Sequence, residues 1–223
     1  MSAGTERPEP VRRDARRNRE LLLAAARKAF AAQGLDVPLD EIARRAGVGN
    51  ATLYRHFPGR AALIDAVFEN ALHSTIAAGE EARALADPWA ALAGYLEAVF
   101  TVLATDRGAN DLMTTAIEGV TSLDAIHAHN HETMTLLVGR SQQDGAMRAD
   151  VTIEDVLLSL ATLGRTVPSL AAAAPPHAWR RQLALFLDGL RAGTRPTADL
   201  PGPGPTVEEL AAVLSDLGPH RQN

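Results

Sequence analysis

The chain has 223 residues, 46% of them hydrophobic and 22% charged, with a formal net charge of −5. That length suits one large domain or two small ones, with enough apolar residues for a packed core. It holds no cysteine, which excludes disulfide scaffolds, thiolate zinc sites, cysteine nucleophiles and cysteine redox sensors. The longest clean apolar run near the N-terminus, Leu21 to Ala26, is six residues. A membrane helix needs about 20 and a signal-peptide core at least about 7, so the expectation is a soluble, cytoplasmic protein with no membrane partner.

The charge is unevenly placed. Residues 1–60 carry 12 of the 22 Lys+Arg and 7 of the 27 Asp+Glu, a net of +5, which leaves −10 for the remainder. A basic head on an acidic body points to a polyanionic partner for the head alone. Arginine outnumbers lysine 21 to 1, a bias that reads as nucleotide composition rather than recognition.

Alanine and leucine abound and no β-alternating stretch appears, so the expected fold class is all-α. In chain order, residues 1–16 are polar, proline-containing and arginine-rich, which reads as a flexible basic arm. A first helix is expected from Asn18 to Gln33, striped by Leu22, Ala26 and Phe30 and stopped by Gly34. A short second helix follows, with Pro38 in its first turn and Asp40 and Glu41 favourably placed for its dipole. It ends at Ala46–Gly47, and a third runs from Asn50 to Phe57–Pro58. The fourth starts near Arg60 with an apolar face of Leu63, Ile64, Val67, Phe68 and Leu72. Further helices are expected at 88–105, 109–118, 123–141, 152–167 and 176–192. Residues 194–205 turn Pro/Gly-rich, as a linker would, before an amphipathic stretch from Val207 to Leu217.

The informative segment is Pro38 to Phe57, PLDEIARRAGVGNATLYRHF, two short helices at helix-turn-helix spacing around Gly47–Val48–Gly49. A 100° step per residue puts Leu53 and Phe57 together on a core face, about 40° apart. Arg55, Ala51 and Thr52 then fall on the opposite side, with Tyr54 and His56 on the flanks. That is what a groove-reading helix needs: Arg55 and Thr52 toward base edges, small Ala51 for close approach, and Tyr54 and His56 toward phosphates. Arg12, Arg13, Arg16, Arg17 and Arg19 could add contacts along the backbone or in a minor groove; a tail with only diffuse attraction is the competing reading. Arg44 and Arg45 read as solvated.

Here the sequence closely resembles the TetR family of bacterial transcriptional regulators, through RNRELLLAAARKAF, then QG, then EIARRAGVGNATLYRHF, then Arg60 and Leu63. The rest matches in layout, including GAMRAD and the ending RRQLALFLDGLRAG. The resemblance implies a DNA-binding domain at 17–75 with its helix-turn-helix at 38–57, and a helical ligand-binding and dimerisation domain at 76–193. A linker and short helix at 194–223 would follow. It places Asn50, Ala51, Thr52, Tyr54, Arg55 and His56 at the DNA contact positions and Arg60 at a phosphate-contacting position. The chain departs from the family at Val37–Pro38 and Gly49, where members often carry hydroxyl residues that cap the short helices.

Trp89, Tyr95, Phe100, Met113, His127, His131 and Met134 are candidate pocket residues, with His129 in the same HAHNH run. His127 and His131 share a helical face at a spacing that can bind metal; no third ligand is evident, so no metal and no cofactor is assigned. The stripes of the last two large helices suit a dimer bundle: Ile153, Leu157, Leu160 and Gly164, then Trp179, Leu183, Phe186, Leu187 and Leu190. The resulting expectation is a ligand-responsive repressor, not an enzyme, that binds a palindromic double-stranded operator as a homodimer and is released by a small-molecule effector. Two alternatives stay open: a helical binder or enzyme with a vestigial DNA head, and a metal-responsive variant using His127 and His131. No catalytic motif supports the enzyme.

Overall fold

In the computed structural model, which describes residues 9–114, 120–173, 175, 177–193 and 200–217, helix follows helix and no strand forms among the described residues. The order is α1 Glu9–Gln33, α2 Leu39–Ala46, α3 Asn50–His56, α4 Arg60–Ala84, α5 Pro88–Thr105, α6 Arg107–Thr114, α7 Thr121–Gln143, α8 Ile153–Ala173, α9 Ala178–Leu190 and α10 Val207–Leu217. The helix expected at 88–105 and the stretch from Val207 to Leu217 match the observed bounds.

Two apolar clusters organise these helices. In the head, Leu22, Ala26 and Phe30 of α1 bury against Ile42 and Ala43 of α2, Leu53 of α3, and Leu63, Ile64, Val67 and Phe68 of α4. Phe30 and Phe68 stack with centroids 6.1 Å apart. The side chain of Leu72 lies outside the described residues. In the body, α5 is the central helix: Leu92, Leu96, Phe100 and Leu103 are fully buried as α5 packs on α4, α7, α8 and α9. Pro88–Thr105 is long and apolar enough to cross a membrane by length and composition, yet its apolar residues form the middle of this core.

Three boundaries differ from the sequence expectation. Helix α1 begins at Glu9, so residues 9–16 of the expected arm are helical and only 1–8 lie outside the described residues. Proline is tolerated in a first helical turn, where its missing N–H has no partner to lose, and Pro10 sits there. Helix α6 ends at Thr114, and the remaining residues of the expected 109–118 helix lie outside the described ones. Helix α8 runs through Pro168 to Ala173 where the expectation stopped at 167.

The passage through Pro168 has a local cause. An interior proline removes the hydrogen bond to the carbonyl four residues earlier, here that of Gly164. The buried Asn110 side chain of α6 donates to that carbonyl oxygen at 2.7 Å and to the Leu103 carbonyl at 3.2 Å. Gly164 permits the approach, since a Cβ there would stand 2.9 Å from Leu103 Cδ1 and 3.0 Å from Thr114 Cγ2. Removing Asn110 leaves buried carbonyls unsatisfied, which costs about 1–3 kcal/mol. Asn110→Ala should therefore lower stability in urea unfolding by that amount. Adding Pro168→Ala, which restores an N–H for Gly164, should recover about 1 kcal/mol of it; no recovery would contradict this pairing.

Candidate nucleic-acid interface

The head's working surface is built by the α2–α3 corner. Gly47 takes a left-handed conformation (φ +70°) and its N–H returns to the Ala43 and Arg44 carbonyls, closing α2. Neither Pro38 at the start of α2 nor Gly49 at the start of α3 supplies a side-chain cap. Leu53 faces the core at 1% exposure while Tyr54 is 53% exposed. Asn50, Ala51 and Arg55 are exposed and Thr52 is half-buried, so α3 divides as its helical periodicity requires.

Two expected contact residues, His56 and Arg60, are only half-exposed. His56 is half-buried, and its Nε2 is buried without a hydrogen-bond partner, with its ring 6.4 Å from that of Phe57. Arg60 reaches back to the α1–α2 loop, donating to the Leu35 carbonyl and, at 2.8 Å, to that of Val37. Its guanidinium thus secures the loop leading into α2. On the outer face of α2, Glu41 binds Arg44 at 2.7 Å and Arg45 at 2.8 Å. Hydrogen bonds from Arg44 and then Arg45 hold its carboxyl below the usual range. Arg16, Arg17 and Arg19 lie on α1 instead of a loose arm: Arg16 pairs with Glu20 at 3.6 Å, and Arg19 covers the Phe57 ring at 5.4 Å. Arg12 is helical, but its side chain lies outside the described residues.

The head is joined to the body by the continuous helix α4 and by α6. The Leu35 N–H donates to the Asp111 Oδ2 at 2.8 Å, beside Gly34 at φ +82°, where a Cβ would lie 2.5 Å from the same oxygen. Gly108 sits against Phe30 and Phe68, with space for no Cβ.

The candidate pocket residues separate into two groups. Met113, His127 and His131 converge with Asn130, Leu157 and Leu160 around a cavity of about 300 Å³. The others pack in or against the body core. Phe100 stacks on Trp179 at 6.2 Å, Met134 is buried and Trp89 lies under Arg191 at 4.5 Å. Burial pushes the Tyr95 phenol up to about 12, so it stays protonated and donates to Asn130 Oδ1 at 2.7 Å. His129 packs on Gly79 and Thr133. His131 lies 3.9 Å from Glu154, and no group of three His, Cys, Asp or Glu suited to a metal forms among the described residues.

Of the residues expected at a dimer seam, Leu160, Gly164, Trp179, Leu183 and Leu190 are buried within this chain, whereas Ile153, Leu157, Phe186 and Leu187 are half-buried. Leu185, absent from the expectation, is 56% exposed. The stripe from Trp179 to Leu190 marks the inner face of α9, and Leu185 lies off it.

Comparison with known proteins gives two family matches. Residues 22–67 match the model for bacterial regulatory proteins of the tetR family. Residues 87–192 match the C-terminal domain of SbtR-like transcriptional regulators. The crystal structure of the TetR transcriptional regulator SCO0520 from Streptomyces coelicolor is 32% identical, covering 81% of this chain and 99% of that one, with a TM-score of 0.51. The ketosteroid transcriptional regulator KstR2 of Mycobacterium tuberculosis shares the fold at 19% identity, covering 78% of this chain and 94% of that one, with a TM-score of 0.60. An uncharacterized HTH-type transcriptional regulator of Pseudomonas putida, TtgW, is 39% identical over 61 residues. That match takes in 27% of this chain and spans less than half, 46%, of that regulator.

Arg60 provides a direct check on the head. Arg60→Met should lower stability by about 1 kcal/mol in urea unfolding, as the Leu35 and Val37 carbonyls lose a charged donor. Weakened DNA binding with unchanged stability would place the guanidinium on a phosphate instead.

Proposed function

Because this chain belongs to the TetR family of bacterial transcriptional regulators, we propose that it is a cytoplasmic repressor that binds a palindromic operator as a homodimer and is released by a small-molecule effector. One observation carries the DNA half of this reading: α3 exposes Asn50, Ala51, Tyr54 and Arg55 together on a head of net charge +5. An arginine on a helix in the major groove can donate two hydrogen bonds to guanine, and a flanking tyrosine hydroxyl suits a phosphate. His56 and Arg60 support the helix in this reading rather than touch DNA.

We assign residues 17–75 to the operator and 76–193 to effector and partner, with α1 carrying helical basic residues ahead of the first. Two-fold operator reading needs recognition helices about 34–36 Å apart, which a dimer through α8 and α9 would set. Leu185, Phe186 and Leu187 are the apolar residues of α9 left for a second copy. The effector would enter where Met113, His127 and His131 meet, and its preference for one α6 position would shift the population of DNA-competent dimers.

The operator can be isolated by selecting full-length protein on random duplexes. Against it, Arg55→Ala should lose about 1–3 kcal/mol of discrimination at one base pair per half-site. Tyr54→Phe should weaken matched and mismatched sites alike. Fluorescence anisotropy over all single-base variants checks both, and unchanged affinity and selectivity in Arg55→Ala would reject this face of α3.

A further inference from the structure

Helix α10 lies beyond both family-matched segments, which end at residues 67 and 192, and it borders the cavity. Val207, Leu210, Ala211 and Leu214 line that cavity together with His127, Asn130 and His131. We propose that α10 is a hinged lid over a binding site for a compact, uncharged apolar molecule bearing one hydroxyl group. This deepens the effector part of the function proposed above and rests on it only for the consequence to DNA.

The hinge and the lid are built differently. The chain leading to α10 is fastened to the body: the Leu200 N–H donates to Asp150 Oδ2 at 3.0 Å, while Arg148 binds the same carboxylate at 2.7 Å. Gly204 packs so closely on Thr152 and Asp155 that a Cβ would lie 2.5 Å from Thr152 Oγ1. From Thr206 onward the helix supplies its own start. Thr206 N–H donates to Glu209 Oε2 at 2.8 Å, and Glu209 N–H donates to Thr206 Oγ1 at 3.2 Å, a reciprocal capping box. Beyond that the helix is lightly held. Leu210 is buried, Val207 borders the cavity while largely exposed, and Val213 is exposed. An 11-residue helix is marginal by itself, so α10 can lift while residues 200–204 stay fixed.

The cavity also limits what it takes. A volume of about 300 Å³ is roughly twice that of an engineered cavity that holds benzene, which suits a two-ring or similarly compact molecule. Its walls are mostly aliphatic, with the polar groups gathered on α7. Asn130 Oδ1 is occupied by the Tyr95 hydroxyl, so Asn130 offers its amide N–H groups. An imidazole can donate or accept according to its tautomer. A hydroxyl, at once donor and acceptor, answers both. A carboxylate does not, because Glu154 stands beside His131 and residues 61–223 carry a net −10.

The test titrates the full-length protein with 2-naphthol, following naphthol fluorescence, and with anionic 2-naphthoate. The wild type should bind 2-naphthol at least tenfold more tightly than 2-naphthoate. Leu210→Asp, which drives α10 off the cavity, should weaken 2-naphthol binding at least tenfold, and the milder Leu210→Ala at least threefold. Val213→Asp, on the exposed side of α10, should leave it unchanged, with thermal unfolding run on every variant. Equal 2-naphthol binding by wild type and both Leu210 variants overturns the lid while leaving the pocket. No binding by wild type overturns the pocket with it, and naphthoate binding as tightly as naphthol overturns the ligand class. Operator binding, read separately on the same proteins, keeps any of these failures distinct from failure of the DNA reading.

Discussion

A buried hydrogen bond from the Leu35 N–H to the carboxylate of Asp111 fastens the head to α6, where Ala109 and Leu112 also pack into the head's apolar cluster. Burying a carboxylate is costly unless polar partners replace the lost water, so its place between α1 and α6 restricts both elements. Gly34 makes the approach possible, with a left-handed backbone and no Cβ where the carboxylate oxygen stands. Gly108, one turn earlier on α6, presses on Phe30 and Phe68 with the same intolerance of a side chain. The opposite side of α6 is equally committed, because Asn110 supplies the hydrogen bond that Pro168 withholds from Gly164. Adjacent residues of one short helix thus hold the head and the body.

In the proposed reading, this arrangement links an occupant of the cavity to the DNA-binding head. Met113, on the same helix, lines the cavity, so an occupant there meets α6 directly. On that reading, a displacement of α6 at Met113 would bear on the α1–α2 loop through the Asp111–Leu35 bond. Arg60 ties that loop to the start of α4, and the loop feeds α2 and then α3. The coupling needs only that the occupied and empty cavity favour different α6 positions.

Much of this was legible in the sequence, and the reasons differ by element. Leu53 and Phe57 set the inward face of α3, so its exposed face followed from periodicity alone. Where a side chain's destination lay outside its own helix, periodicity was silent. The resemblance puts Arg60 at a phosphate-contacting position, whereas in this structure its guanidinium meets carbonyls 25 and 23 residues away. The inward stripe of α9 looks like a dimer seam because burial against one's own α5 and against a partner leave the same apolar spacing. Pro168 read as a stop since its compensation comes from Asn110, whose bond to Gly164 spans 54 residues. Gly34 could be recognised as a helix terminator but not as the site of a carboxylate's approach, and nothing in Val207–Leu217 marks it as a cavity wall.

The central claim is that head and body form one mechanical unit through α6, and the amide hydrogen exchange of Leu35 in the full-length protein tests it most directly. If the Asp111 bond locks the joint, the Leu35 amide should exchange only through global unfolding, as slowly as the amides of Leu96 and Phe100 in α5, and Asp111→Ala should remove that protection. Exchange of Leu35 at the rate of an exposed turn such as Gly49, in the unmodified protein, would contradict it.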